Sequence, residues 1–518
     1  MVLSLFLSPF SYQFVGLARL FGHIVLPVLL ASAGAAHGDV RLNSLFADHM
    51  VLQRDRPVAV WGRAEPGEAV AVAFAGQRRE TKADDQGRWS VALEPLKASA
   101  APAALTVKGA NTVEMKDVLV GDVWLCSGQS NMEMAFRNWG KHADGSAYEV
   151  QGLDEAKAYA TRRPGMIRYC KVPADKSDSP QEDAGCKPWV ACTAENLDDV
   201  AAVPFFFARQ TQDYLASLAK TGIPIGVVNA SWGGVSISMF APGIGTDNPW
   251  WWTGGSSLAY NRMIAPLVPF SFKGFLWYQG CANGWSGDYQ NYTQKMKGLA
   301  AAWRKAFGDE TLPFYYVQLA GFKPLSEAKG GAAGDVDPML GDRWSRLREA
   351  QRRAMAQIPN SFMAVAADIG DPADIHPTNK FDVGDRLARI AAVKTYGVPE
   401  ARLAFTGPLY KGMKVQDGRI VVEFDPVGSG LMVGEKQGMK PAAPAAGAEL
   451  KYFMIAGADK KFHPAKAEIQ GATVVVSSPE VTAPVAVRYA SQSMIDGCNL
   501  YGRNGLPAAP FRTDDWGW

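Results

Sequence analysis

Between positions 289 and 307 the side chains of Tyr289, Tyr292, Met296, Leu299, Trp303 and Phe307 recur at spacings of three and four. That period lays them along one face of a helix. Phe207, Thr211, Tyr214 and Leu218 repeat the pattern, and Gly222 marks the end of that helix. Val383, Leu387 and Ile390 form a third stripe that stops near Gly397 and Pro399. Short apolar runs at 118–125, 223–230, 273–278, 314–319 and 362–367 predict strands between these helices. Strands alternating with helical stretches predict an α/β sheet over residues 117–400. The flanks read differently. In 37–116, runs at 58–61 and 69–74 are rich in β-formers, Pro66-Gly67 and Asp85-Gln86-Gly87 mark turns, and 89–93 alternates with period two. Residues 401–518 return to short strands at 419–424, 450–455, 473–477 and 485–489, with an Ala/Pro-rich loop at 441–447. No repeat at a solenoid period is present.

Composition narrows the reading. The chain has 518 residues, enough for several domains, and 47% of them are hydrophobic. Lys and Arg number 53 against 51 Asp and Glu, so no basic surplus exists to neutralise a phosphate backbone, and no nucleic-acid partner is expected. With 15 tryptophans and 16 tyrosines, stacking on sugar faces is a candidate use of the aromatics. The six histidines are His23, His37, His49, His142, His376 and His463, so any catalytic imidazole comes from this short set.

The N-terminal 36 residues hold one charged side chain, Arg19, and an apolar run at 24–30 leads into Ala31-Ser32-Ala33-Gly34-Ala35-Ala36. An apolar core followed by small residues is the pattern of an export signal. The run is shorter than the roughly 20 apolar residues of a membrane span. Residues 1–36 are therefore expected to be a signal peptide, and the protein to be secreted or periplasmic without stable membrane insertion. Export permits disulfides among Cys126, Cys170, Cys186, Cys192, Cys281 and Cys498. Their pairing stays open, although Cys186 and Cys192 are close enough for a local loop. No C-x-x-C pair occurs, which argues against a zinc site.

Open α/β sheets bind ligands beyond the carboxyl ends of their strands. After Leu125 comes Cys126-Ser127-Gly128-Gln129-Ser130-Asn131-Met132; after Ala230, Ser231-Trp232-Gly233-Gly234; after Tyr278, Gln279-Gly280-Cys281-Ala282-Asn283; after Ala367, a run through Asp368, Asp371 and Asp374 to His376-Pro377. These are the parts that acyl transfer needs. A serine hydroxyl requires a base, which His376 supplies, and a carboxylate holds the imidazole tautomer. The oxyanion needs donors: the N–H of Ser130, the N–H of Gly233 or Gly234, and the amide of Asn283 are candidates. Each residue alone is an ordinary turn or capping residue; their joint arrival at strand ends carries the reading.

Gly128-Gln129-Ser130-Asn131-Met132 resembles the nucleophile block of the sialate O-acetylesterase family within the SGNH hydrolase superfamily. The stretch from Leu45 to Arg54, Val60-Trp61-Gly62, Gly121-Asp122-Val123-Trp124, Asn229 to Gly234, Trp277-Tyr278-Gln279-Gly280 and Asp374-Ile375-His376-Pro377 are similar to the same family, in order. The resemblance implies a flavodoxin-like three-layer α/β/α sandwich over 117–400, with accessory β-sandwich regions at 37–116 and 401–518. It implies hydrolysis of acetyl esters on sugar hydroxyls with no metal and no cofactor. By position it implies Ser130 as nucleophile, His376 as base, and Gly233 or Gly234 with Asn283 at the oxyanion. Gln279, Trp250 and Trp251 are expected to contact substrate. Two departures stand out. The family's third block commonly reads Gln-Gly-Glu-Ser-Asn, and here Cys281 replaces the glutamate. The superfamily's acid often lies three residues before the histidine, which here is Ala373; Asp374 is the nearest carboxylate, Asp371 the fallback, and a Ser130–His376 dyad a third option.

The sequence thus points to an exported carbohydrate O-acetylesterase with an acetylated glycan as its partner. A sialic acid substrate calls for an arginine, with Arg137 and Arg262 as candidates; the tryptophans favour neutral cell-wall glycans such as xylan or xyloglucan. The alternative is a non-catalytic secreted glycan-binding protein whose esterase site has decayed, motivated by the β-rich flanks and Pro249-Trp250-Trp251-Trp252.

Overall fold

The computed structural model describes residues 39–137, 148–246, 255–322, 343–372 and 374–516. The expected signal peptide, Ala373, and the Trp250 and Trp251 platform lie outside the described residues.

A central sheet is built from β1 (Thr112–Gly128), β2 (Ile167–Lys171), β3 (Val190–Ala191), β4 (Ile225–Ser231), β5 (Gly274–Tyr278), β6 (Phe314–Val317) and β7 (Ser361–Ala364). Their spatial order is β3-β2-β4-β1-β5-β6-β7. Neighbours run parallel, except that the two-residue β3 pairs antiparallel with β2 at the edge. Strands β4, β5 and β6 are nearly continuous apolar and buried runs, as a sheet covered on both faces requires. The chain after β1 leaves the middle of the sheet, with β4 on one side and β5 on the other. This is the switch point at which such sheets open a crevice.

Helices cover both faces. On one, α3 (Ala202–Ala216) and α7 (Lys380–Ile390) pack together, and Phe207 meets the edge of Trp124 at 5.1 Å between centroids. Gly384 allows that approach, since a Cβ there would lie 2.5 Å from the Phe206 side chain. On the other face Trp303 of α5 (Tyr292–Ala306) packs edge-on against Phe275 and Trp277, and α6 (Arg343–Ala354) lies beside α5. The helical stripes expected at 207–218, 289–307 and 383–390 thus bury their apolar faces, shifted by a few residues at each end.

Strand β1 also serves the N-terminal part. Its first half pairs with 99–108, and Leu119, Val120 and Gly121 pair with Val51, Leu52 and Gln53. Asp122, fully buried, is held by Arg54 through Nη2–Oδ2 at 2.8 Å and Nε–Oδ1 at 3.1 Å, so the segments 45–54 and 121–124 form one contact. After residue 400 the chain forms three small antiparallel sheets. The loop expected at 441–447 holds a two-residue strand, Ala443–Pro444, against Gly434 and Glu435. A proline is compatible with that short edge position. All six cysteines are free thiols; Cys186 lies against Cys170 rather than Cys192.

Gly128, the last residue of β1, has φ +132°, and a Cβ there would lie 2.2 Å from the Tyr278 carbonyl oxygen. Gly128→Ala is expected to cost about 2 kcal/mol or more, combining a disfavoured backbone with a clash against rigid backbone. A lowered thermal midpoint together with reduced activity checks this; an unchanged midpoint contradicts it.

Candidate active site

Ser130 opens a single helical turn, α1 (Ser130–Glu133), directly after β1. The junction is pinned on both sides. Gln129 N–H donates to the Tyr278 carbonyl at 3.0 Å, and Trp232 N–H donates to the Gly128 carbonyl at 3.0 Å. Gln129 Oε1 accepts from Gly280 N–H at 3.0 Å and Ala282 N–H at 3.3 Å, stitching the turn after β5 to the serine block.

His376 reaches this point from the loop after β7. Its Nε2 lies 2.9 Å from Ser130 Oγ, across 246 positions of sequence. Asp374 Oδ1 accepts the His376 backbone N–H at 2.8 Å and stands 3.2 Å from Nδ1. With Nδ1 protonated toward Asp374, Nε2 is the acceptor that faces the serine. The loop ends where Asn379 caps α7, its Oδ1 accepting from Asp382 N–H at 3.0 Å. Asp374 therefore occupies the place for which Asp371 was the fallback. Asp368, in the short turn that follows β7, is taken by Arg386 in a two-point pair of 2.6 and 2.8 Å.

Tyr148 is a site neighbour that sequence reading missed. Its hydroxyl donates to Asp374 Oδ2 at 2.5 Å, and its ring meets the His376 ring edge-on at 5.9 Å. Burial, then the Asp374 bond, pushes the phenol well above its ordinary range, so it stays protonated and donating. A lone tyrosine after a polar stretch gives no sequence signal. Glu133 was also missed. Its Oε2 accepts Gly233 N–H at 2.9 Å, and its Oε1 accepts from Lys171 Nζ at 3.1 Å.

These contacts correct three expectations. Gly233 lies against Ser130, since a Cβ on it would be 3.6 Å from Ser130 Cβ, but its N–H is given to Glu133. Asn283 has no exposed surface; its Oδ1 accepts from Gln279 Nε2 at 2.8 Å and Ile237 N–H at 3.2 Å, and its Nδ2 donates to Asp288 at 3.3 Å. Its amide is turned toward the half-buried carboxylate of Asp288. Gln279 is likewise fully buried, with Nε2 donating to Val235 and Asn283 and Oε1 accepting from Tyr292. It is an internal strut rather than a substrate contact. Gly234, by contrast, is exposed beside Gly233 with φ +77°. Ser130 heads α1, where a backbone N–H has no intrahelical acceptor.

The arrangement has the parts for acyl transfer: a hydroxyl on a base, and an acid on the base's far nitrogen. Among the described residues no group of three His, Cys, Asp or Glu side chains is placed to hold a metal ion. Nor, among those residues, is any helix long and apolar enough to cross a membrane.

Known proteins share this framework. The family model described as carbohydrate esterase, sialic acid-specific acetylesterase, matches residues 120–392. The sialate O-acetylesterases of Homo sapiens and Pongo abelii are each 32% identical over 433 residues, covering 74% of this chain and 76% of theirs. The crystal structure of a carbohydrate acetylesterase from Xanthomonas citri matches with a TM-score of 0.78 at 40% identity, covering 92% of this chain and 100% of that one. The chain belongs to the sialic acid-specific acetylesterase family of carbohydrate esterases, and it is a carboxylic ester hydrolase acting on acetylated sugars.

Proposed function

We propose that Ser130, His376 and Asp374 remove acetyl groups from sugar hydroxyls through an acetyl-serine intermediate. Ser130 Oγ attacks the acetyl carbonyl while its proton passes to His376 Nε2. Asp374 holds the Nδ1 proton and stabilises the imidazolium that forms. The oxyanion meets the N–H of Ser130 and the N–H of Gly234. Collapse expels the sugar oxygen, which takes the proton back from His376. A water then gives its proton to His376 and attacks the acyl carbon; collapse breaks the bond to Ser130 Oγ, which takes that proton from His376, and acetate leaves. The observation that carries this reading is the 2.9 Å contact between His376 Nε2 and Ser130 Oγ. The same contact disfavours a decayed, purely glycan-binding site.

The substrate we favour is a neutral cell-wall glycan such as acetylated xylan or xyloglucan, ahead of sialic acid. Arg137 is already paired with Glu149 at 2.9 Å and Asp198 at 3.8 Å, and Arg262 with Asp175 at 3.0 Å. A sialate carboxylate would have to displace an acid from either one. The domain reading completes the proposal: an export signal at 1–36, an SGNH catalytic domain at 117–400, and β-sandwich accessory regions at 37–116 and 401–518, in a secreted or periplasmic protein.

Ser130→Ala is expected to lower hydrolysis of an aryl acetate by about 10⁴-fold or more with the fold intact. Retained activity in a folded variant overturns the mechanism. Tyr148→Phe removes one hydrogen bond to a charged group and is expected to reduce kcat about tenfold with KM little changed; wild-type kcat would deny Tyr148 that role. Acetate release measured side by side on xylan, xyloglucan and a sialoglycan is expected to favour the neutral glycans, and faster release from the sialoglycan reverses the substrate assignment.

A further inference from the structure

Lys380 is the first residue of α7 and is 1% exposed. Its ammonium donates to Asn131 Oδ1. Asn131 Nδ2 in turn donates to the Ile375 carbonyl at 3.0 Å and lies 3.9 Å from Cys281 Sγ. Asn131 follows Ser130 in sequence, and Ile375 precedes His376. One amide therefore ties the serine turn to the histidine loop, and one buried lysine holds that amide in place. A buried ammonium ordinarily sits against a carboxylate. Here the side chain across Asn131 is the Cys281 thiol at the head of a short helix, α4 (Cys281–Ser286).

We propose that Lys380 is a positioning residue that clamps Asn131, and through it the spacing of Ser130 and His376, and that the side chain at 281 governs the strength of the clamp. The inference rests on the esterase reading of Ser130 and His376. Burial pushes the Cys281 thiol up to about 12, so it brings no negative charge at neutral pH. Burial lowers Lys380 to about 7, against the smaller opposing field of Asp374. Neighbouring acids are occupied: Asp382 on α7 by Lys436 at 2.6 Å, and Glu133 on α1 by Lys171 at 3.1 Å.

A charged lysine makes a charge-assisted bond to Asn131 roughly twice as strong as a neutral amine makes. The clamp weakens as pH rises through the lysine's titration, and kcat falls there. This alkaline limb is opposite in sign to the His376 limb, on which activity rises as the imidazole loses its proton. Stability follows another direction. The unfolded lysine titrates near its ordinary value of about 10.4, so between the two pKa values the unfolded chain binds the extra proton. The contribution of Lys380 to stability therefore grows as pH rises over the window in which activity declines. Alkaline inactivation by unfolding would move both quantities together.

Cys281→Glu supplies a carboxylate beside the ammonium and is expected to move the alkaline limb of kcat upward by about one pH unit or more. Lys380→Met is expected to lower kcat about tenfold, the worth of one charge-assisted bond, with KM little changed and the alkaline limb gone. A folded Lys380→Met enzyme with wild-type kcat and profile overturns the proposal. If Lys380→Met does not fold, Cys281→Glu decides alone: an unmoved alkaline limb refutes the clamp. Ser130→Ala, measured in parallel, separates the two levels. Activity retained there removes the esterase reading, whereas an inactive Ser130→Ala together with an unmoved alkaline limb in Cys281→Glu removes only the role of Lys380.

Discussion

Polar side chains between Gly128 and Glu133 are almost wholly out of water, and each must find a partner where the protein supplies one. Gln129 takes the turn after β5, Ser130 and Asn131 take the loop after β7, and Glu133 takes the turn after β4. A buried polar group left unpaired costs about 1–3 kcal/mol. Four such groups on one short segment therefore draw the ends of three other strands to a common point and keep them there. The sheet provides the geometry, since parallel strands end on the same edge. Gly128 provides the turn, since its backbone conformation and the Tyr278 carbonyl leave no room for a side chain. Ser130 and His376 meet at 2.9 Å inside a frame that Gln129, Asn131 and Glu133 hold, and their own contact adds to it.

The β region after residue 400 belongs to the same economy of buried charge. Arg348 of α6 has no exposed surface, and its guanidinium donates to the Ser493 carbonyl at 3.1 Å and to the Gln492 carbonyl. Tyr501 donates to Asp368 Oδ2 at 3.2 Å, completing the pair of Asp368 with Arg386. Asp368 begins the loop that carries Asp374 and His376. The C-terminal β region, through a bend at 492–493 and a strand at 500–502, thus satisfies charges on a helix and on the histidine loop that the central sheet leaves open. Its contribution to the site is to hold the base of that loop.

The sequence disclosed what depends on local pattern. Apolar stripes located α3, α5 and α7, and apolar runs located β4 through β7, because those signals repeat every few residues. Strand β2 was missed: it carries Arg168 and Lys171, and Arg168 is buried because Asp117 pairs with it at 2.7 Å and the Gly165 and His49 carbonyls accept from it. A charge neutralised from fifty positions away cannot be distinguished from a solvated one in sequence. The same blindness affected the site. Position after a strand end marked Ser130 and His376, but it did not show which way Gln279 and Asn283 face. Both turn inward, to Tyr292 and Asp288. Tyr148, Glu133 and Lys380 act through partners about 100 to 250 residues distant, and such contacts leave no periodic trace.

Cys281, where the family resemblance implies a glutamate, shows what a network of this kind tolerates. Replacing a carboxylate by a thiol removes an acceptor and a charge together, which ordinarily strands a buried cation. The hydrogen bonds here survive because Asn131 can face both ways: its carbonyl oxygen accepts from Lys380 and its amide donates to Ile375, whatever the charge at 281. What changes is the electrostatics. Among these buried partners Asn131 and the Ile375 carbonyl have fixed charge, and the Cys281 thiol stays neutral far above neutral pH. The adjustment falls on Lys380, whose ammonium can give up its proton without losing its place. On the proposed clamp, the charge that a carboxylate at 281 would fix is set instead by Lys380, at the first residue of α7.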